Sequence, residues 1–365
     1  MFFVLLVLAS NNANWVFNET GVFQPLGAEE VRVSEHGIYI VNFAESRIIH
    51  LDHDGTQLKD IGAKGRGPGE FTYPMYLFVD RKGVFVADAL TNAMSQFTHD
   101  GSFVKRVNLP GRNLALARTS SGWLYGTWED SHEGQEPALY IADDAFEEIR
   151  QIKLIQDPGF ASGMRVEMGP EGVQAVYAPV STSPIMCVSL DGKTAYLNEG
   201  DRFQIHVIDT AKGEVIQTLT RTEPRIPFDT DWADERFAQI QERMPSQQQN
   251  ISFDKAYPDY FPVVREMAFS PDNQLVVNRW MGKPDDRDHA ICLDAAGQEI
   301  PLTWSWSNIS RYCGSYDGYA YVTVFNQERE EAGVAKIPLE KAQLFLTDNP
   351  IVFEGTAGRT ISISN

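Results

Sequence analysis

Between residues 31 and 61 the chain reads VRVSEHGIYIVNFAESRIIHLDHDGTQLKDI, in which short apolar runs are separated by turn residues such as EHG and HDG. Short runs of β-branched and aromatic residues bounded by Gly, Asp and Asn predict strands, and Asp-Gly predicts a tight hairpin. The same pattern continues along most of the chain. One stretch departs from it. In DTDWADERFAQIQERMP (229–245), Ala233, Phe237, Ile240 and Met244 fall on one helical face. Asp231 stands where it can cap that helix, and Pro245 stops it.

The strands repeat as a group. Residues 31–61 align without a gap on 77–107, at an offset of 46. Val33/Val79, Gly37/Gly83, His53/His99, Asp54/Asp100, Gly55/Gly101 and Lys59/Lys105 are identical. A unit of four short antiparallel strands with this period is the signature of a propeller blade. Four further units follow the pattern, which predicts an all-β, six-bladed β-propeller with four antiparallel strands per blade and one short helical insertion. The blades are placed at 30–61, 76–107, 113–155, 184–220, 265–303 and 309–345. The segment 15–26 has strand character and is expected to complete the last blade, leaving no open sheet edge. Residues 156–183 read as a long connection and 221–264 as an insertion.

GRGPGEFTYPMYLFVD (65–80), followed by GVFVAD (83–88), resembles the consensus of the NHL-type six-bladed propellers. Gly65, Gly67, Pro68, Gly69, Glu70, Phe71 and Pro74 match a run that in that family joins one blade's outer strand to the next blade's inner strand. The whole is similar to the secreted bacterial 6-bladed β-propeller proteins, a TolB-like fold. The resemblance implies the fold and no single reaction, because such propellers host binding proteins, lyases and lactonases alike.

The glycine-rich stretch GAKGRGPGEF (62–71) poses a chemical question. A phosphate-binding P-loop needs lysine where Pro68 stands, and a dinucleotide loop needs a helix after it, whereas here a strand follows. Pro68 also lacks an N–H for such a cradle. The glycines therefore read as turn geometry, with Phe71 as an anchor between blades. Lys64 and Arg66, with Arg47 nearby, are candidate ligand-binding cations, set against the alternative that they are a solvated pair or form ion pairs with Glu70 or Asp60.

A second constellation is metal-like. Asn42 and Asp88 sit at equivalent repeat positions just after the second strand, and Asp201 and Asn278 lie at comparable places later. Converging oxygens of this kind would suit a divalent cation such as calcium. Asx side chains at strand ends usually bond to their own turns, and that structural role recurs with the repeat, which favours it over a metal ligand. No GxSxG elbow is present, which argues against a serine hydrolase. Trp304 and Trp306 share one strand face, and with Trp123, Trp128 and Trp280 they suit packing between blades or stacking on sugars.

Charge narrows the partners. The 365 residues carry a formal net charge of −19. Such a surface repels nucleic acid and anionic lipid, so neither nucleic-acid binding nor membrane insertion is expected. Three cysteines, Cys187, Cys292 and Cys313, are too few for a disulfide scaffold. A Cys292–Cys313 pair stays open beside buried free thiols. MFFVLLVLAS opens the chain with an apolar run that reads as the core of a secretory signal over 1–13, with Val7-Leu8-Ala9 before the cut; a first β-strand is the other reading. The sequence thus points to a secreted or periplasmic monomer that binds a protein, peptide or glycan without catalysis and without a cofactor. The alternative is a metal-dependent lactonase or lyase acting in the central channel.

Overall fold

The computed structural model describes residues 12–20, 31–43, 45–111, 113–131, 134–154, 163–169, 172–182, 184–200, 202–243, 252–280, 289–301, 310–326, 331–339 and 360–362. The chain divides into two compact units. One comprises Met1–Asn113, Ser270–Asp272 and Leu302–Asn365; the other comprises Leu114–Phe269 and Asn273–Pro301.

The first unit begins with β1 (Asn12–Thr20). Its first blade is β2 (Val31–Ser34), β3 (Gly37–Asn42), β4 (Arg47–Leu51) and β5 (Gln57–Ile61), in that spatial order. A two-stranded ribbon follows, β6 (Ala63–Lys64) parallel to β7 (Glu70–Phe71). The second blade is β8 (Pro74–Asp80), β9 (Gly83–Asp88), β10 (Ala93–Phe97) and β11 (Phe103–Asn108). Every residue of β3 and of β9 is buried, whereas the outer strand β5 is mostly exposed and β11 holds only exposed and half-buried residues. The continuous apolar run in β3 has a simple cause: alternate side chains feed two different cores. Ile38 and Ile40 pack with Val31, Tyr321 and Val334, while Tyr39 and Val41 pack with Phe71, Leu77 and Val86. The repeated glycines Gly37 and Gly83 have φ of +128° and +133°. A Cβ there would lie 2.2 Å from the Leu51 carbonyl oxygen and 2.1 Å from that of Phe97. No side chain fits that approach, so the repeat requires glycine at both positions.

The second unit carries β12 (Asn113–Arg118), β13 (Trp123–Ser131), β14 (Gly134–Ala142) and β15 (Ile149–Leu154) as one four-stranded blade. The chain then forms a hairpin, β16 (Gly163–Gly169) and β17 (Gly172–Ala178). Next comes the blade of β18 (Ile185–Val188), β19 (Thr194–Asn198), β20 (Gln204–Asp209) and β21 (Glu214–Thr220). The helix α1 (Thr230–Arg243) and the short β22 (Asp254–Lys255) precede β23 (Val264–Phe269), β24 (Leu275–Arg279), β25 (His289–Leu293) and β26 (Glu299–Ile300), a further blade. Cores again lie between consecutive blades. Leu124 and Leu139 meet Leu197 and Ile208, while Tyr196, Ile205 and Val207 meet Met267, Leu275 and Val277.

Two expectations need correcting in this unit. The stretch 156–183 is not a plain connection, because β16 and β17 form a hairpin within it. β22 of the insertion pairs in parallel with β17, so the two irregular segments form one three-stranded sheet. The cap of α1 is Asp229 and not Asp231: the Asp229 carboxylate accepts the Trp232 N–H at 2.8 Å, while Asp231 lies in the first turn. Ala233 is fully buried and the Phe237 ring lies tilted against Tyr177 at 4.8 Å, so the helix packs its apolar face against β17. Met244 lies outside the described residues.

The last blade returns to the first unit with β27 (Ser310–Tyr316), β28 (Tyr319–Asn326) and β29 (Glu331–Pro338). β1 pairs antiparallel with β29, from Asn14↔Lys336 to Thr20↔Glu331, and β30 (Thr360–Ser362) pairs with the outer side of β1. The sheet order is β27-β28-β29-β1-β30. β1 includes Asn12 and Ala13, so this strand starts before the expected boundary at 14. Residues 1–11, which hold most of the expected signal, and residues 21–26 lie outside the described residues. All three cysteines are free thiols, and Cys292 donates to the Gln274 side chain at 3.1 Å.

Candidate functional site

The glycine-rich loop folds into a closed corner between the first two blades. The Gly65 N–H donates to the Phe71 carbonyl at 2.8 Å, and the Glu70 N–H donates to the Gly67 carbonyl at 3.1 Å. Glu70 turns its carboxylate back to accept the Gly67 N–H at 2.7 Å. Gly62 has φ of +76°, and a Cβ there would lie 2.2 Å from the Phe71 ring. The glycine thus makes room for the fully buried anchor, Phe71.

Asp88 fastens the corner from below. Its carboxylate is buried, at 2% exposure, and accepts four backbone N–H groups. One oxygen takes Thr72 at 2.5 Å and Tyr73 at 3.0 Å; the other takes Leu90 at 3.1 Å and Thr91 at 2.9 Å. Burial raises the Asp88 pKa, but the hydrogen bonds from Tyr73, Thr72 and Thr91 outweigh it and hold the group below its ordinary value. Thr72 also donates its hydroxyl to the Gly65 carbonyl at 3.1 Å, and Ser46 donates to the Thr72 carbonyl at 3.3 Å. One carboxylate therefore ties the loop after the first blade to the β9–β10 turn.

Asn42, at the equivalent place in the first blade, serves its own turn. Its Oδ1 accepts the Glu45 N–H at 3.1 Å and its Nδ2 donates to the Glu45 carboxylate at 3.2 Å. Ser46 and Asn92 follow in matching repeat positions with φ of 52° and 49°, so the two turns share their geometry. In the other unit, the β19–β20 turn is served by Asn198, which the sequence reading passed over. Its Nδ2 donates to the Arg202 and Gln204 carbonyls and its Oδ1 accepts the Gly200 N–H. Asp201 lies outside the described residues. Asn278 is buried in β24, with no hydrogen-bond partner to its Oδ1 among the described residues. Asp88, Asn42 and Asn198 thus spend side-chain oxygens on backbone, which is what a turn-forming Asx does. No group of three or more His, Cys, Asp or Glu side chains with metal-holding geometry occurs among the described residues.

The candidate cations separate into two kinds. Arg47 is not free, contrary to its selection as a ligand contact: it bonds the carboxylates of both Glu45 and Asp60. Burial works to lower the Arg47 pKa, but the hydrogen bonds to Asp60 and Glu45 prevail and raise it. With Asp60 so engaged and Glu70 turned onto Gly67, neither Lys64 nor Arg66 forms an ion pair with them among the described residues. Both side chains are exposed and have no partner among the described residues. Their neighbours include a residue the sequence did not single out. The Arg106 guanidinium donates to the Thr91 hydroxyl at 2.5 Å and to the Arg66 carbonyl at 3.4 Å. Only the fold brings β11 to this loop, so no local signal marks Arg106.

The corner also exposes apolar surface. Leu90 is 71% exposed and Tyr73 45%, and their N–H groups share the Asp88 carboxylate. The Tyr73 ring stacks on Phe43 at 5.8 Å, which holds it in place. Trp123 is fully buried in β13, as packing between blades requires, whereas Trp304 and Trp306 lie outside the described residues.

Known proteins share the architecture. Residues 7–158 match the family described as a 6-bladed beta-propeller, DUF5128. No curated protein matches this chain. A crystal structure of a candidate exported protein from Bacteroides fragilis is similar at 15% identity with a TM-score of 0.50, covering 91% of this chain and 96% of that one. A member of the DUF4221 family from Bacteroides vulgatus is 11% identical with a TM-score of 0.48, over 90% of this chain and 98% of that one. Together with the blades described above, the family match makes the fold a six-bladed β-propeller of four-stranded antiparallel blades.

Proposed function

We propose that this propeller is a non-catalytic binding module of the secreted or periplasmic space, working as a monomer that recognises a protein, peptide or glycan partner through its loops. The observation that carries this reading is the exposed display of Lys64 and Arg66, without side-chain partners among the described residues, on a corner fixed by Phe71, Glu70 and Asp88. In a chain with 50 acidic and 31 basic residues, a cation finds a carboxylate easily. Arg47, Arg118, Lys153, Arg221 and Arg279 all do so. A rigid loop that presents two cations without partners is preorganised for an external anion, which lowers the ordering cost of binding. The exported setting rests on the apolar N-terminal run and agrees with the description of the Bacteroides fragilis neighbour. Among the described residues no helix is long and apolar enough to cross a membrane.

The test is stoichiometric capture of one partner from the native envelope fraction, using the full chain as bait. A discrete partner that competes with free protein is expected. Recovery of nothing above a charge-matched control protein, across repeated fractions and cross-linking, would remove the binding reading.

A further inference from the structure

We infer that the seam between the first two blades is hinged: a histidine clasp at one end lets go in mild acid, while the glycine-rich corner at the other end stays closed. This device stands apart from the binding reading and does not rest on it.

The repeat builds the clasp. The His-Asp-Gly turn between β10 and β11 docks on the blade before it. Tyr39 of β3 donates its hydroxyl to the His99 carbonyl at 3.2 Å, and Lys59 of β5 donates to the Asp100 carbonyl. The His99 ring stacks on His36, in the β2–β3 turn, with 3.8 Å between centroids. Tyr39 in turn stacks on His50 at 4.2 Å, and His50 Nε2 lies 2.9 Å from the His36 carbonyl. Three imidazoles and one phenol therefore hold this end of the seam.

Protons work against that arrangement. Two stacked imidazoles repel each other once both are charged. Both ring nitrogens of His99 are buried. Burial, and then His36, hold the His99 pKa below its ordinary value, against the pull of the Arg81 backbone and of the Asp80 and Glu35 charges. His50 is held low in the same way. Burial leads, its bond to the His36 carbonyl opposes, and Lys59, His36 and His53 add to the lowering. A carbonyl only accepts, so neutral His50 carries its proton on Nε2. A second proton must go to Nδ1, which is buried without a hydrogen-bond partner among the described residues. The His36 side chain is more open, at 44% exposure, and lies 3.7 Å from the Glu35 carboxylate. Both shifts carry the same sign. The stabilisation is intact above pH 6.5 and is lost as the pH falls toward the folded values. Clustered histidines bias interfaces in this way near pH ~5–6.

Two other fastenings of this unit differ. At the opposite end of the seam Ser46 donates to the Thr72 carbonyl, and the Asp88 carboxylate accepts the Thr72 and Tyr73 N–H groups. The depressed pKa of Asp88 keeps it ionised through mild acid. The first blade's own His-Asp-Gly turn docks on the last blade with the same frame. Tyr321 donates to the His53 carbonyl at 3.3 Å, and Lys336 reaches the Asp54 carboxylate at 3.0 Å. There, however, the histidine stacks on Tyr316 at 3.8 Å. A cation over a tyrosine ring is attracted, so a proton on His53 does not break that contact. Acid therefore selects the His36–His99 clasp.

The experiment is amide hydrogen exchange on the full chain at pH 7.5, 6.5 and 5.5, with rates corrected for the intrinsic effect of pH. Peptides covering 34–39 and 98–103 are expected to lose at least tenfold in protection between pH 7.5 and 5.5. Peptides covering the corner (65–73), the β9–β10 turn and the last-blade contact (314–322) should lose less than threefold. His36→Phe keeps a ring in the stack and removes its charge. It should shrink the acid loss at 98–103 several-fold and move the His99 titration, followed by NMR in protein labelled at the histidine C2 carbon, upward toward 6.5. His53→Gln should leave the acid loss at 98–103 in place. Thermal melts at pH 7.5 check that both variants are folded, as expected for the half-exposed His36 ring.

Unchanged protection at 34–39 and 98–103 would overturn the inference. So would an equal loss at the corner, which would describe acid unfolding of the whole unit and not a hinge. An equal loss at 314–322 would show that the stacking partner does not decide which clasp opens. An acid loss unaltered by His36→Phe would remove the imidazole pair as its cause.

Discussion

Asp88 shows how one residue can imitate a ligand and be a fastener. A carboxylate at a strand end, repeated as Asn42 in the preceding blade, fits a metal site in sequence. In the fold it accepts four N–H groups and is buried. Asp88→Ala would strand those donors and is expected to cost about 3 kcal/mol, read by chemical denaturation. The pH dependence has a definite sign. The folded pKa is depressed below 3.8, so the stabilisation is complete above that value and fades as pH falls through the folded value. A wild-type acid-unfolding midpoint no lower than that of the Asp88→Ala protein would contradict this account. Gly62 is a second case. Alanine there meets the Phe71 ring and a positive φ together, and a cost of about 2 kcal/mol is expected, with the loop's protection from amide exchange reduced.

At the scale of elements, the helix and the hairpin β16–β17 tell opposite stories. The periodicity of 229–245 marked a helix because its apolar positions recur within a short polar segment, and α1 is found there. The cap was misplaced because Asp229 and Asp231 are equally good cap residues by type, and only backbone geometry chooses between them. Asp229→Ala should cost roughly 1 kcal/mol, measured as a shift in thermal midpoint, whereas Asp231→Ala should cost less. Equal costs would show that the Asp229–Trp232 bond is not a working cap. The hairpin escaped notice because its residues, GMRVEMG and GVQAVYA, were read within a Gly- and Pro-containing stretch outside the blade pattern. Its third partner, β22, is a two-residue strand far along the chain. A pairing that short leaves no periodic signature, because the parallel contact is made only after β17 and the insertion are placed.

At the scale of the molecule, three histidines form an acid-sensitive set. His50 and His99 in the first unit and His206 in the second are each held below the ordinary imidazole pKa of 6.5, chiefly by burial. Lys59 adds to this at His50, and Lys153 at His206. His36 stacks on His99 at 3.8 Å, and Tyr39 on His50 at 4.2 Å. A histidine with a lowered folded pKa binds fewer protons folded than unfolded. Its contribution is therefore intact above pH 6.5 and erodes as pH falls from there toward the folded value. The melting temperature is expected to be lower at pH 5.5 than at pH 7.5, before carboxylates begin to titrate. His50→Gln should flatten that slope. An unchanged or rising melting temperature on acidification would refute the assignment.

How much was legible follows from what is local. The alternation of apolar runs with Asp-Gly and glycine turns, repeated at a fixed offset, determined the strands, their grouping in fours and the six-bladed class, because period and turn chemistry are properties of adjacent residues. The same locality identified GAKGRGPGEF as a corner and excluded a phosphate cradle. Tertiary structure alone decided which cations are free. Arg47, Lys64 and Arg66 look alike in sequence, but Arg47 meets Asp60 across a sheet while the other two meet nothing among the described residues. It also decided that Asp88 faces amides and that Arg106 arrives beside Arg66 from a distant strand. Pairing, burial and exposure depend on the whole set of neighbours in space, and for this corner most of those neighbours come from other strands.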